Sequence, residues 1–139
     1  MARASVAQEI HLEAPDETGL LGRIVSALAL EGVYIVHMSA YVVEGRAYVQ
    51  AITRDNAKAR KALSHFINDI KERDVLVVEF ENKTGTLAPV AKMLGSKGIG
   101  INYVYGTSGD GFKIVGVFST ADNPRAAEVI NQDSGSLGV

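Results

Sequence analysis

Two short stretches of this sequence carry residue types suited to holding a small molecule. Asp16-Glu17-Thr18-Gly19 is followed by Leu20, and Asn82-Lys83-Thr84-Gly85 by Thr86 and Leu87; each stands at the start of an apolar periodicity. The start of a helix leaves several backbone N–H groups unpaired and carries a partial positive charge, so it can hold a carboxylate. Gly19 and Gly85 would let a ligand approach the backbone closely. Asp16 or Asn82 could receive an ammonium group, and Thr18 and Thr84 could add hydrogen bonds. The same residues equally suit plain helix caps and turns. The second stretch is the better furnished, because Asn102, Tyr103 and Tyr105 belong to the same half of the chain. Those tyrosines also suit core or interface packing.

Little else could do chemistry. His11, His37 and His65 fall on different elements, and no His-Glu-x-x-His, paired-histidine or Gly-x-Ser-x-Gly pattern occurs. The absence of cysteine removes disulfides, thiolate metal sites and thiol nucleophiles together. Gly106-Thr-Ser-Gly-Asp-Gly111 has a phosphate-loop composition, but it lies between two strands and precedes no helix, which makes it a hairpin turn. The net charge of −2 gives no footprint for nucleic acid or an anionic membrane, and Lys58, Arg60 and Lys61 read as one solvated helix face. No apolar run approaches the length of a membrane span, and the start lacks the pattern of a signal peptide. The expectation is a cytoplasmic, non-catalytic protein with no metal and no cofactor.

The elements that must position these residues come from an internal repeat. At an offset of 66, Thr18, Gly19, Leu21, Leu28, Gly32 and Ile35 fall on Thr84, Gly85, Leu87, Leu94, Gly98 and Ile101. The same offset places Ile10, Leu12 and Ala14 on Leu76, Val78 and Phe80. At 67, Asp55-Asn56-Ala57-Lys58-Ala59 falls on Asp122-Asn123-Pro124-Arg125-Ala126, so one residue is inserted in the intervening hairpin. Alternation at Ile10, Leu12 and Ala14 predicts a strand with one covered face. Leu21, Ile24, Val25 and Leu28 predict an amphipathic helix, with Leu87, Val90, Ala91 and Leu94 as its copy. Pro89 suits a first helical turn, and Gly32 and Gly98 suit left-handed caps.

A hairpin around Glu44-Gly45 joins Val33 to Val43 with Arg46 to Arg54; Ile99 to Tyr105 and Phe112 to Thr120 form its copy. A second helix buries Ala59, Ala62, Leu63 and Phe66, matched by Ala126, Val129 and Ile130. A short strand over 68–72 closes the first unit before 74–81 opens the second. Residues 133–139 are a poor strand or a frayed tail. The fold expected is α+β: two ferredoxin-like βαββαβ units in tandem, over 6–72 and 73–139, each an antiparallel sheet with helices on one face. Such sheets leave an edge strand and a face for pairing, which points to a homodimer.

These residues resemble the ACT domain, a regulatory module of βαββαβ order. The resemblance rests on Asp16-Glu17-Thr18-Gly19 with Gly32-Val33-Tyr34-Ile35, and on Asn82-Lys83-Thr84-Gly85 with Gly98-Ile99-Gly100-Ile101. It runs from about Val6 to Ile130 and is greatest for small stand-alone tandem ACT proteins. Thr18 and Thr84 stand where the family has proline, and Tyr34 and Gly100 where it often has a ligand-contacting asparagine. Asn102 lies two residues beyond Gly100. The resemblance implies an amino-acid ligand at Asp16, Thr18, Gly19, Leu20, Asn82, Lys83, Thr84, Gly85, Thr86, Leu87, Asn102 and Tyr103. It also implies that the ligand sits at inter-unit or dimer interfaces and from there regulates a partner enzyme; the alternative is a ligand-free oligomerisation or docking module.

Overall fold

The computed structural model describes residues 2–108 and 111–132. In chain order the elements are β1 (Arg3–Pro15), α1 (Leu20–Leu30), β2 (Ile35–Val43), β3 (Arg46–Thr53), α2 (Asn56–Leu63), β4 (Asp69–Glu81), α3 (Leu87–Ser96), β5 (Ile101–Ser108), β6 (Lys113–Thr120) and α4 (Asn123–Gln132). The chain divides into a first unit, Gln8–Arg73, and a second made of the residues up to Ala7 with those from Asp74 onward.

In the first unit the strand order is β2-β3-β1-β4, counting only the part of β1 and β4 that belongs to it. The pairs β1·β3 and β2·β3 are antiparallel, with Leu12 opposite Val49 and Ala40 opposite Val49. Ile10, Leu12, Ala14, Ala47 and Val49 form the sheet's contribution to a core closed by Leu20, Ile24 and Leu28 of α1 and Ala59 and Leu63 of α2. The second unit repeats this with order β5-β6-β4-β1. Leu76, Val78, Phe80 and Phe118 pack there against Val90, Leu94, Ala126 and Ile130.

Both first helices end alike. Gly32 (φ 68°) and Gly98 (φ 70°) are left-handed, and the N–H groups of Val33 and Ile99 reach back to the carbonyls of Leu28 and Leu94 at 2.9 Å. Burial of Val33 and Ile99 completes this Schellman arrangement. At the β2–β3 turn, Glu44 and Gly45 both have positive φ, as a two-residue hairpin with right-handed strand twist requires.

Three expectations need correction. The strand expected over 68–72 and the one from 74 form a single 13-residue strand, β4, because no glycine or proline interrupts Asp69–Glu81. β1 begins at Arg3, six residues before the alternation at Glu9–Ala14, and its first residues serve the second unit. Ala2 and Ala4 are buried in the second core, and Asn131 of α4 holds the Ala4 backbone, accepting from its N–H and donating to its carbonyl, both at 2.8 Å. The strand that would close the second unit from 133–139 lies outside the described residues; β1 stands next to β4. Leu21 and Leu87, expected on the buried helix stripe, are both 46% exposed, while Leu20, one position earlier, is buried in α1.

Candidate functional site

The β1–α1 turn of the first unit is held against the β2–β3 hairpin by the Asp16 N–H, which donates to the Gly45 carbonyl at 2.9 Å. Gly19 takes φ 88°, and α1 starts with no side chain capping it. Between this turn and the strands lies a cavity of about 270 Å³. Asp16, Glu17 and Gly19 line it from the turn, and Leu20, Leu21, Gly22 and Ile24 from α1. Ala40 and Val42 of β2 and Ala47 and Val49 of β3 supply the opposite wall. Tyr41 and Tyr48 also line it, but through their backbone. The register puts them opposite each other on the other face of the sheet, where their rings stack at 5.3 Å. Glu17 pairs with Arg23, whose guanidinium lies 4.7 Å from the Phe66 ring centroid.

The homologous turn of the second unit is spent on its own bonds. Asn82 donates from its N–H to Phe112 O at 2.9 Å and from Nδ2 to Gly111 O at 3.3 Å. The Thr86 hydroxyl is shared by the carbonyls of Glu81 and Lys83, at 2.7 and 3.0 Å, and Lys83 Nζ sits 2.9 Å from Glu81. Gly85 is left-handed like Gly19. The walls differ more. By the β6 register, Ile114 stands where the first unit has Ala47, and Gly116 where it has Val49. A Cβ on Gly116 would lie 2.9 Å from the Phe118 ring and 3.4 Å from the Phe80 ring. Large side chains from Ile114, Phe80 and Phe118 therefore occupy the second unit where alanines 47, 14 and 51 leave room in the first.

Of the residues singled out from the sequence, Asp16, Gly19 and Leu20 come together at the cavity. Thr18 is in the same turn, exposed and off the cavity wall. Asn82, Lys83, Thr84, Gly85, Thr86 and Leu87 share the second turn. Asn102 and Tyr103 do not join them. Glu81, before that turn, pairs with Lys113, whereas Tyr103 pairs with Ser119, six residues along β6; that is about 20 Å at ~3.4 Å per residue. Asn102 Nδ2 instead donates to Ser119 Oγ at 3.3 Å, and Tyr103 stacks on Tyr105. The side chains on the cavity wall that the sequence did not single out as a site include Leu21, Ile24, Ala40, Val42, Ala47 and Val49. Only Ala47 among them carried a signal, as a small residue where the second copy has Ile114; at Val49 the contrast runs the other way, to Gly116.

The other face of the first sheet carries a polar cluster. Glu9 is fully buried, with its Oε1 3.5 Å from His11 Nε2. Gln50, opposite His11, donates to the Tyr41 hydroxyl at 3.4 Å. Arg46 and the Tyr48 hydroxyl hold the Glu13 carboxylate below its usual range. His11 is half-buried. Burial foremost, then the charges of Arg73 and Lys71, depress its pKa. The folded ring thus binds a proton less readily than the unfolded one. The stability this contributes is complete above the ordinary value of 6.5 and is lost as pH falls through the folded pKa. Melting temperature should fall on acidification from pH 7 to pH 5, and His11→Gln should flatten that slope. Equal slopes in the two proteins would assign the acid sensitivity elsewhere. Among the described residues no three His, Asp or Glu side chains converge as a metal site, and no described helix is long and apolar enough to cross a membrane.

No protein-family model and no curated protein sequence matches this chain. Solved structures do. A protein from Bacteroides thetaiotaomicron superposes with a TM-score of 0.86 at 23% identity, over 94% of this chain and 90% of that one. The ligand-free regulatory subunit of aspartate kinase from Thermus thermophilus gives 0.68 at 17% identity, over 93% and 95%. The regulatory subunit from Thermus flavus gives 0.64 at 16%, over 94% and 95%. The chain has the α+β, tandem ACT-type fold of these structures.

Proposed function

We propose that this chain is a non-catalytic regulatory protein that binds one free amino acid per chain, in the cavity of the first unit. The observation that carries the reading is that cavity: about 270 Å³, apolar inside, with Asp16 and an uncapped helix start at its mouth. That volume lies just below the usual range of ~300–1,000 Å³ for drug-sized ligands, which suits an amino acid better than a nucleotide. The N–H groups at the start of α1 would take the carboxylate, and Asp16 the ammonium group. The fold shared with regulatory subunits of aspartate kinase supports regulation over catalysis.

Isothermal titration against the common amino acids tests this. A hydrogen bond to a charged group contributes ~1.5–3 kcal/mol, so Asp16→Ala should weaken binding by about ten- to a hundredfold. The same exposed substitution should leave stability within ~0.5 kcal/mol. Gly19→Val, which cannot hold φ 88° without strain, should abolish binding. Saturation at one ligand per chain is expected. If no amino acid binds, the reading fails.

A second reading has its own observation. β2 is an edge strand of the first unit's sheet, and its Val36, Tyr41, Val42 and Val43 are exposed. An apolar edge of this kind invites pairing, with a second copy in a homodimer or with a partner enzyme. Sedimentation with and without ligand separates the two readings. A ligand-dependent shift in mass supports a sensor acting through association, and a constant dimer that binds no ligand supports a docking module.

A further inference from the structure

We propose that the first unit's cavity selects amino acids with uncharged aliphatic side chains, and that Ala47 sets the length it admits; this rests on the amino-acid reading above. The cavity has a buried floor of Leu20, Ile24, Ala47 and Val49, with Ala40 and Val42 as its more exposed wall. Its only ionisable side chains are Asp16 and Glu17 in the turn at the mouth, and Glu17 is already paired with Arg23. A lysine ammonium or a carboxylate carried inward would lose its water and meet no counter-charge, and a threonine hydroxyl would meet no side-chain partner. An aliphatic chain loses nothing of this kind. It would also cover Leu21 and Val42, which stand 46% and 53% exposed where the cavity opens.

The second unit supplies an internal control. At the position of Ala47 it carries Ile114, and the Phe80 and Phe118 rings crowd the backbone of Gly116, the counterpart of Val49. The same fold therefore accepts a larger side chain at this place in β6, so the room beside Ala47 is not demanded by the fold. What fills the second unit with its own side chains is left in the first to a ligand. Selectivity follows from that room: each methylene buried should tighten binding about fourfold, so L-leucine should outbind L-alanine by about fiftyfold.

The test is titration of the intact protein with L-alanine, L-valine, L-leucine, L-isoleucine, L-methionine, L-threonine, L-lysine and L-aspartate, repeated on Ala47→Ile and Ala47→Val. The inference expects affinity to rise with aliphatic length, and threonine, lysine and aspartate to bind at least fiftyfold more weakly than leucine. Ala47→Ile, with its melting temperature retained, should weaken leucine at least tenfold and alanine much less; Ala47→Val should fall between. Threonine, lysine or aspartate binding as tightly as leucine overturns the inference and leaves the amino-acid reading standing. So does a folded Ala47→Ile with unchanged leucine affinity. Should Ala47→Ile fail to fold, the ranking on the unsubstituted protein decides. Binding of none of the eight overturns both.

Discussion

Phe118→Ala should destabilise the protein by about 3–5 kcal/mol, lowering the melting temperature by on the order of ten degrees. Phe118 is 1% exposed in the middle of β6, paired with Leu76 on one side and Val104 on the other. Its ring crowds the bare backbone of Gly116 and belongs to a core with Val78, Phe80, Val90 and Leu94. Truncation removes the transfer free energy of the ring and leaves a cavity that these neighbours cannot close, since both strands flanking β6 are fixed by their ladders. Phe118→Leu keeps most of the volume and should cost less than half as much. Urea melts of the three proteins check this, and a drop of under 1 kcal/mol for the alanine variant would show that the second core is loosely packed.

Asn123→Ala should cost about 2–4 kcal/mol, by a different route. Asn123 is 7% exposed at the start of α4, and its side-chain oxygen accepts from the Thr120 N–H at 3.0 Å and the Thr120 hydroxyl at 2.6 Å. Its Nδ2 donates to the Asp74 carbonyl at 2.8 Å, so one amide ties the end of β6 to the start of the second unit's share of β4. Removing it leaves those groups without that partner in a place water reaches poorly, and each such group costs ~1–3 kcal/mol. The first unit builds the same clamp. Asn56 accepts from Thr53 N–H and Oγ1 and donates to the Gln8 carbonyl at 3.0 Å. Because Asn56 is more exposed, water can replace it, and Asn56→Ala should cost about half as much. Equal losses in the two variants would contradict this account.

The clamp itself was not legible in the sequence, but the residues that build it were the plainest part of the repeat, since Asp55-Asn56 and Asp122-Asn123 correspond at an offset of 67, and Asp55 and Asp122 each accept from the N–H three residues on. The first helix of each unit and the β2–β3 hairpin were legible for similar reasons, because periodicity, Gly32 with Gly98, and Glu44-Gly45 are local signals. The reach of β1 was not. Arg3 to Gln8 offers small and polar residues around a lone Val6, and its strand state is supported from afar, by its place beside β4 and by Asn131 on Ala4. The cavity was hidden for another reason. Asp16, Gly19 and Leu20 are visible as chemistry, but the room beside Ala47 is made by the smallness of a residue that otherwise reads as ordinary strand core. Polar side chains drew attention to Asn82 and Asn102 instead, which the register of β6 holds far apart.

The bonds between Ala4 and Asn131 bridge 127 positions of sequence. On a ribosome adding roughly 5–20 residues per second, the N-terminal strand segment is made on the order of ten seconds before its partner helix exists. Gln8–Arg73 holds all the elements of the first unit and can assemble while that segment waits. The second unit is not complete until the residues around Ala4 meet Asn131 of α4. Its completion is therefore a late, long-range step, slow by the rule that distant contacts must be reached before they stabilise anything. A nascent chain stalled before Asn131 would carry a finished first unit beside a second with its last seam open.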